Sequence, residues 1–95
     1  MIKISVTDDE VIISGHANHD DYGKDIVCAS VSSIAITTVN AVIEFNPESI
    51  KVEEKEGYLK IDVIEHTRET DILISSMMDL LYELESKYPK NIKIN

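Results

Sequence analysis

The chain has 95 residues, which is room for one domain with a single modest core. Its 9 Lys and Arg stand against 18 Asp and Glu, a formal net charge of −9 that makes nucleic acid a poor partner and suits a basic peptide or protein, although acidic surfaces also serve plain solubility. One cysteine excludes an intrachain disulfide, and no basic N-terminal stretch leads into an apolar core with a small-residue cleavage site, so a cytoplasmic protein is expected. The longest apolar run, residues 26 to 45, is interrupted by Ser30, Ser32, Ser33, Thr37, Thr38, Asn40 and Glu44, a pattern expected of a buried helix with no membrane partner.

In chain order, residues 2 to 6 alternate with period two and residues 11 to 13 do so less cleanly, with Asp8-Asp9-Glu10 as a solvated turn between two hairpin strands. The second strand ends at Ser14-Gly15-His16, where Gly15 serves either an unusual backbone angle or the close approach of another chain segment. Ala17, Asn18, His19, Asp20, Asp21, Tyr22, Gly23 and Lys24 are mostly polar and include a glycine, so they read as an exposed, mobile loop. Asp25 is placed to cap a helix by accepting the N–H of Val27 or Cys28. That helix should reach Phe45, with Asn46-Pro47 as its stop. Its apolar positions cover more than one stripe, as expected of a central element buried on several sides, with room for a partner subunit.

Residues 50 to 56 and 58 to 65 form a second strand pair around Glu56-Gly57, with one face buried through Leu59, Ile61 and Val63. Thr70 is the expected cap of a second helix, whose stripe is Leu73, Met77, Leu80, Leu81 and Leu84 and which Pro89 ends. The tail, residues 91 to 95, alternates again and has room for a short last strand. The reading is a single domain over residues 1 to 95, α+β in order ββαββαβ, with a mostly antiparallel sheet packed against two helices and the first helix central.

His16 and Cys28 stand at the ends of two elements that face the same loop, so a compact fold brings them within reach as base and nucleophile. A helix start leaves N–H groups unpaired and partly positive. This favours a thiolate and can hold an oxyanion, and Cys28 is expected in the first turn. Taken singly, a lone cysteine in an apolar helix is more often a small buried hydrophobe, and His16 fits a surface strand end. Asp25 has two roles open to it, capping the helix or orienting the His16 imidazole, and the cap follows directly from its position. Ser32 shares a helix face with Cys28 and either bonds back to the helix backbone or supports the thiol or a bound peptide. His16, His19, Asp20 and Cys28 also carry metal-ligand atoms, but their spacing fits no common zinc signature, so neither metal nor cofactor is expected. His66 follows a strand without an obvious partner and reads as a surface residue.

The segment Gly-His-Ala-x5-Gly-x-Asp-Ile-Val-Cys-Ala-x-Val-Ser, residues 15 to 32, closely resembles the hallmark of the ribosomal-processing cysteine protease family, Prp. Where many relatives have a second alanine after Cys-Ala, this chain has Ser30, one small residue for another. The resemblance implies a cytoplasmic cysteine endopeptidase, a hydrolase that removes the N-terminal extension of a bacterial large-subunit ribosomal protein at a site marked by adjacent aromatic residues. It also implies a homodimer. Carried over by position, Cys28 is the nucleophile and His16 the general base, with Gly15, Asp25 and Ser32 as supporting positions. The expected oxyanion donors are the N–H of Cys28 and a neighbour, and the loop 17 to 24 is expected to order around peptide. Two other functions fit the same residues: a non-catalytic ribosome-associated binding module in which Cys28 merely packs, and a small thiol-dependent esterase or thioesterase, which needs a closed pocket in place of an open groove.

Overall fold

The computed structural model describes residues 1–15 and 22–95, with side chains described for all of these except 22–25. Along it run β1 (Ile2–Val6), β2 (Glu10–Ser14), α1 (Tyr22–Phe45), β3 (Ile50–Lys55), β4 (Tyr58–Val63), α2 (Arg68–Lys87) and β5 (Ile92–Ile94). The strands form one five-stranded sheet in the order β3-β4-β2-β1-β5, antiparallel throughout except where β5 pairs parallel to β1. Two crossovers, β2-α1-β3 and β4-α2-β5, leave in opposite directions across the sheet from strands that run in opposite senses. Right-handed connections therefore place both helices on the same face.

Period-two alternation decides what that face carries. Ile2 and Ile4 of β1, Val11 and Ile13 of β2, and Ile61 and Val63 of β4 point inward and are buried, while Lys3, Lys51, Lys60 and Asp62 point to solvent. The registers Ile4↔Ile13, Val11↔Ile61 and Ile50↔Val63 line these side chains up in rows across the strands. Each fully buried aliphatic side chain contributes about 1.5–3 kcal/mol through leaving water.

The helix α1 closes the core with Val27, Val31, Ala35, Val39 and Val42, a stripe at helical spacing. By length and composition residues Ile26–Phe45 would suffice to cross a membrane, so the interrupting polar residues exclude less than the sequence reading supposed; in this fold the stripe packs on the sheet. Burial on several sides is not what the single chain shows. Ile26 is 59% exposed and Phe45 68%, and Ile36 and Ile43 are exposed as well. On α2 the core takes Met77, Met78 and Leu81, with Leu73, Ile74 and Leu84 packed beside them, whereas Leu80 turns outward.

The cap of α2 is Thr67 and not Thr70. Thr67 Oγ1 accepts the N–H of Thr70 at 3.1 Å, and Thr70 lies in the first turn with its hydroxyl fully buried. That hydroxyl belongs to a ring of side chains. Asn46 Nδ2 donates to Thr67 at 3.3 Å, Thr67 donates to Thr70 at 2.8 Å, Thr70 lies 2.8 Å from Ser49, and Ser49 donates to the carbonyl of Asn46 at 2.9 Å. It ties the end of α1 to the start of α2, and leaving one of its buried groups unmatched would cost about 1–3 kcal/mol. At the far edge, Glu85 accepts the N–H of Ile94 at 2.8 Å, which covers part of the β5 backbone.

Gly15 ends β2 with φ +94°, and a Cβ there would run into the carbonyl oxygen of Met1, so both reasons for glycine at this position hold. Its N–H donates to the carbonyl of Gly57 in the β3–β4 turn at 2.9 Å. His66 is a surface residue, but it has partners that sequence distance hid. Its Nε2 lies 2.7 Å from Asp9 Oδ1 and its Nδ1 lies 2.7 Å from Asp71 Oδ1. Only the imidazolium donates from both nitrogens, and the bond to Asp9, followed by that to Asp71, raises its pKa above the ordinary 6.5.

Two outcomes follow from these contacts. Gly15→Ala is expected to lower the unfolding free energy by more than about 1 kcal/mol, from the positive φ alone, and an unchanged urea midpoint would count against it. A raised histidine pKa stabilises fully below the unfolded value and loses that stabilisation as pH climbs through the folded value. His66→Gln should therefore lower the melting temperature most near pH 6, with the gap closing at alkaline pH; a gap that stays constant in thermal melts from about pH 5.5 to 9 would refute the clamp.

Candidate active site

The end of β2 and the N-terminal half of α1 meet at one groove. Gly15 and Cys28 both border it, and Ser32 and Ile36 follow Cys28 along the same helix face at successive turns. Ile2, Ile13, Val31, Ala35 and Leu59 supply apolar lining, and the β3–β4 turn forms the opposite wall through Glu54, Lys55, Gly57 and Tyr58. The groove has a volume of about 290 Å³, and Ser32, Ile36, Glu54 and Lys55 on its border are all exposed. At these four residues the groove opens to solvent.

Cys28 is half-buried and packs against the edge of the core while it borders the groove. The position is compatible with both the buried-hydrophobe reading and the nucleophile reading, since the residue touches the core and the groove alike. Gly15 brings the chain to the groove immediately before His16, and Ser32 stands one turn beyond Cys28, as their spacing predicts.

Three expectations need correction or fall elsewhere. The helix α1 starts at Tyr22, so Asp25 lies inside its first turn and is not the N-cap, and Tyr22, Gly23 and Lys24 belong to the helix and not to a loop. Cys28 is the seventh residue of α1 and lies in its second turn. The N–H groups that a helix start leaves unpaired belong to the turn before it, so the Cys28 N–H falls within the i→i−4 ladder and is no longer a natural oxyanion donor. His16, Ala17, Asn18, His19, Asp20 and Asp21 lie outside the described residues, as does the side chain of Asp25.

Sequence reasoning missed the turn wall. Glu56-Gly57 reads locally as a hairpin turn and nothing more; only the strand order, with β4 beside β2, brings that turn to the end of β2. There Lys55 Nζ lies 3.3 Å from Glu53 and 5.7 Å from the centre of the Tyr58 ring. The one local signal was Glu54, a carboxylate at an inward-facing place in an alternating strand.

The chain matches the family model of cysteine protease Prp over residues 1–93. It is 33% identical over 101 residues to the ribosomal processing cysteine protease Prp of Staphylococcus aureus, covering 99% of this chain and 95% of that one. The crystal structure of that ribosomal processing protease with a covalently linked product peptide superimposes with a TM-score of 0.85 at 32% identity, covering 99% of this chain and 95% of the other. Its complex with a substrate peptide does so with a TM-score of 0.85 at 31% identity over the same shares. A match across nearly the whole chain, in sequence and in fold, joins the groove at Cys28 to the motif that lines it: this protein belongs to the Prp family of cysteine proteases.

Proposed function

We propose that the chain is a cytoplasmic endopeptidase that removes the N-terminal extension of a bacterial large-subunit ribosomal protein, with Cys28 as nucleophile and His16 as general base and acid. The observation that carries this reading is the placement of Cys28 on the wall of an open groove that the chain enters at Gly15, one residue before His16. An extended peptide fits such a groove, whereas a small ester is better served by an enclosed pocket. The Staphylococcus aureus relative was crystallised with a substrate peptide and with a covalently linked product peptide, which supports a peptide substrate here too.

In the proposed reaction the Cys28 sulfur attacks the scissile carbonyl carbon, the C–N bond breaks, and His16 gives its proton to the leaving amine. Water, deprotonated by His16, then attacks the thioester; the C–S bond breaks and the thiolate is restored. Asp25 stands one turn before Cys28, inside α1, and its role in this proposal is to orient the His16 imidazole. The binding-module reading is the competitor, and turnover separates the two.

The decisive assay is cleavage, followed by intact mass, of a peptide spanning the N-terminal extension of the ribosomal protein from the same organism. A single cut by wild type that Cys28→Ala and His16→Ala both abolish is the expected result, with Asp25→Asn lowering kcat more than KM. A folded, reduced wild type that makes no cut would favour the binding module. We also propose a homodimer, which the exposed Ile26 and Leu80 flanking a hollow of about 610 Å³ between α1 and α2 support. Sedimentation equilibrium should give twice the chain mass of 10.7 kDa, with Leu80→Glu shifting it toward the monomer; a wild-type monomer at micromolar concentration would remove the proposal.

A further inference from the structure

The inward row of β3 ends on a charge. Along Ile50-Lys51-Val52-Glu53-Glu54-Lys55 the helix-facing places fall to Ile50, Val52 and Glu54. Ile50 is buried, Val52 is partly buried, and Glu54 is exposed where the sheet gives way to the groove. Its partner across the ladder is Leu59, itself part of the apolar lining. A carboxylate thus occupies a place that strand alternation reserves for an apolar side chain.

Lys55 is the other charged residue on the groove border, and it alternates to the opposite face of the strand. Its ammonium is engaged there by Glu53 at 3.3 Å and by the Tyr58 ring at 5.7 Å. Among the described residues that line the groove, Glu54 is the one carboxylate, and the ammonium of Lys55 is engaged by Glu53 and the Tyr58 ring.

Resting on the peptidase reading above, we propose that Glu54 is a specificity-determining residue that accepts a Lys or Arg side chain of the peptide substrate while the scissile bond lies at Cys28. The apolar lining beside Glu54 suits the methylene stem of such a side chain, and the carboxylate at the border meets its charged head. Because the border is solvated, the pair selects among peptides more than it adds affinity, and it weakens with salt. An acidic side chain at the same place meets like charge and is disfavoured.

The test uses wild type, Glu54→Gln and Glu54→Lys on peptides built on the proposed extension, in which each position within about five residues of the scissile bond is in turn Lys, Gln or Glu. At one position, wild type is expected to prefer Lys over Glu by about five-fold in kcat/KM at low salt, mostly through KM. Glu54→Gln should lose that preference and Glu54→Lys should invert it, and all three should converge at high salt. A Glu54→Lys protein with an unchanged melting temperature and the wild-type order of preference overturns the proposal and leaves the peptidase reading intact. A folded wild type that cuts none of the peptides overturns both.

Discussion

The structure depends on one layer of contact, the inward face of the sheet against the Val27–Val42 stripe of α1. A chain of this size has no second core to fall back on. The stripe spans about 22 Å along the helix axis, close to the length of a six-residue strand. The helix itself is 24 residues long, about 36 Å, so it overhangs the sheet. Cys28 lies at one margin of the covered length and Ile43 and Phe45 lie beyond the other. The groove lies beside the covered length and not beyond it: Cys28, Val31, Ser32, Ala35 and Ile36 of α1 form one wall, Ile2, Ile13 and Leu59 of the sheet another, and the β3–β4 turn closes the side opposite the helix.

Most of the fold was legible because most of it rests on local pattern. Alternation in residues 2 to 6, 11 to 13 and 58 to 65, the long apolar run ending at Asn46-Pro47, and the single stripe of the second helix each point to an element that is found, although β4 stops at Val63. What local pattern does not carry is the partner. Thr70 reads as a cap because it precedes an apolar stripe, yet Thr67 is the cap, with Asn46 and Ser49 reaching this turn from the end of α1. His66 appeared solitary because Asp9 is 57 residues away along the chain. The start of α1 is hidden for a different reason: Asp25 is a good cap by type and Gly23 a poor helix former, so propensity points to a later start than Tyr22.

The site divides in the same way. Gly15, Cys28 and Ser32 come from one short motif and reach one groove, because β2 and α1 are consecutive elements and α1 repeats every turn. Glu54, Lys55 and Tyr58 reach the groove through the strand order, in which β4 intervenes between β2 and β3 and carries its turn to the exit of β2. No spacing rule links residue 15 to residue 57, yet a backbone hydrogen bond of 2.9 Å does. The glycine motif position is thus fixed from two sides, by the Met1 carbonyl that excludes a side chain and by the Gly57 carbonyl that takes its N–H.

The half-buried place of Cys28 puts the thiol at the margin of the one core cluster among the described residues. Full burial would leave the sulfur without access to a peptide, and full exposure would leave it in water and on a side chain free to move. At the margin, Cys28 packs against the stripe that closes the core while its residue still borders the groove. The arrangement places the second turn of α1 at the groove and leaves the dipole and unpaired N–H groups of the helix start one turn upstream. Under the proposed cysteine chemistry, a thiol in the second turn draws less on the helix terminus than a thiol in the first turn would.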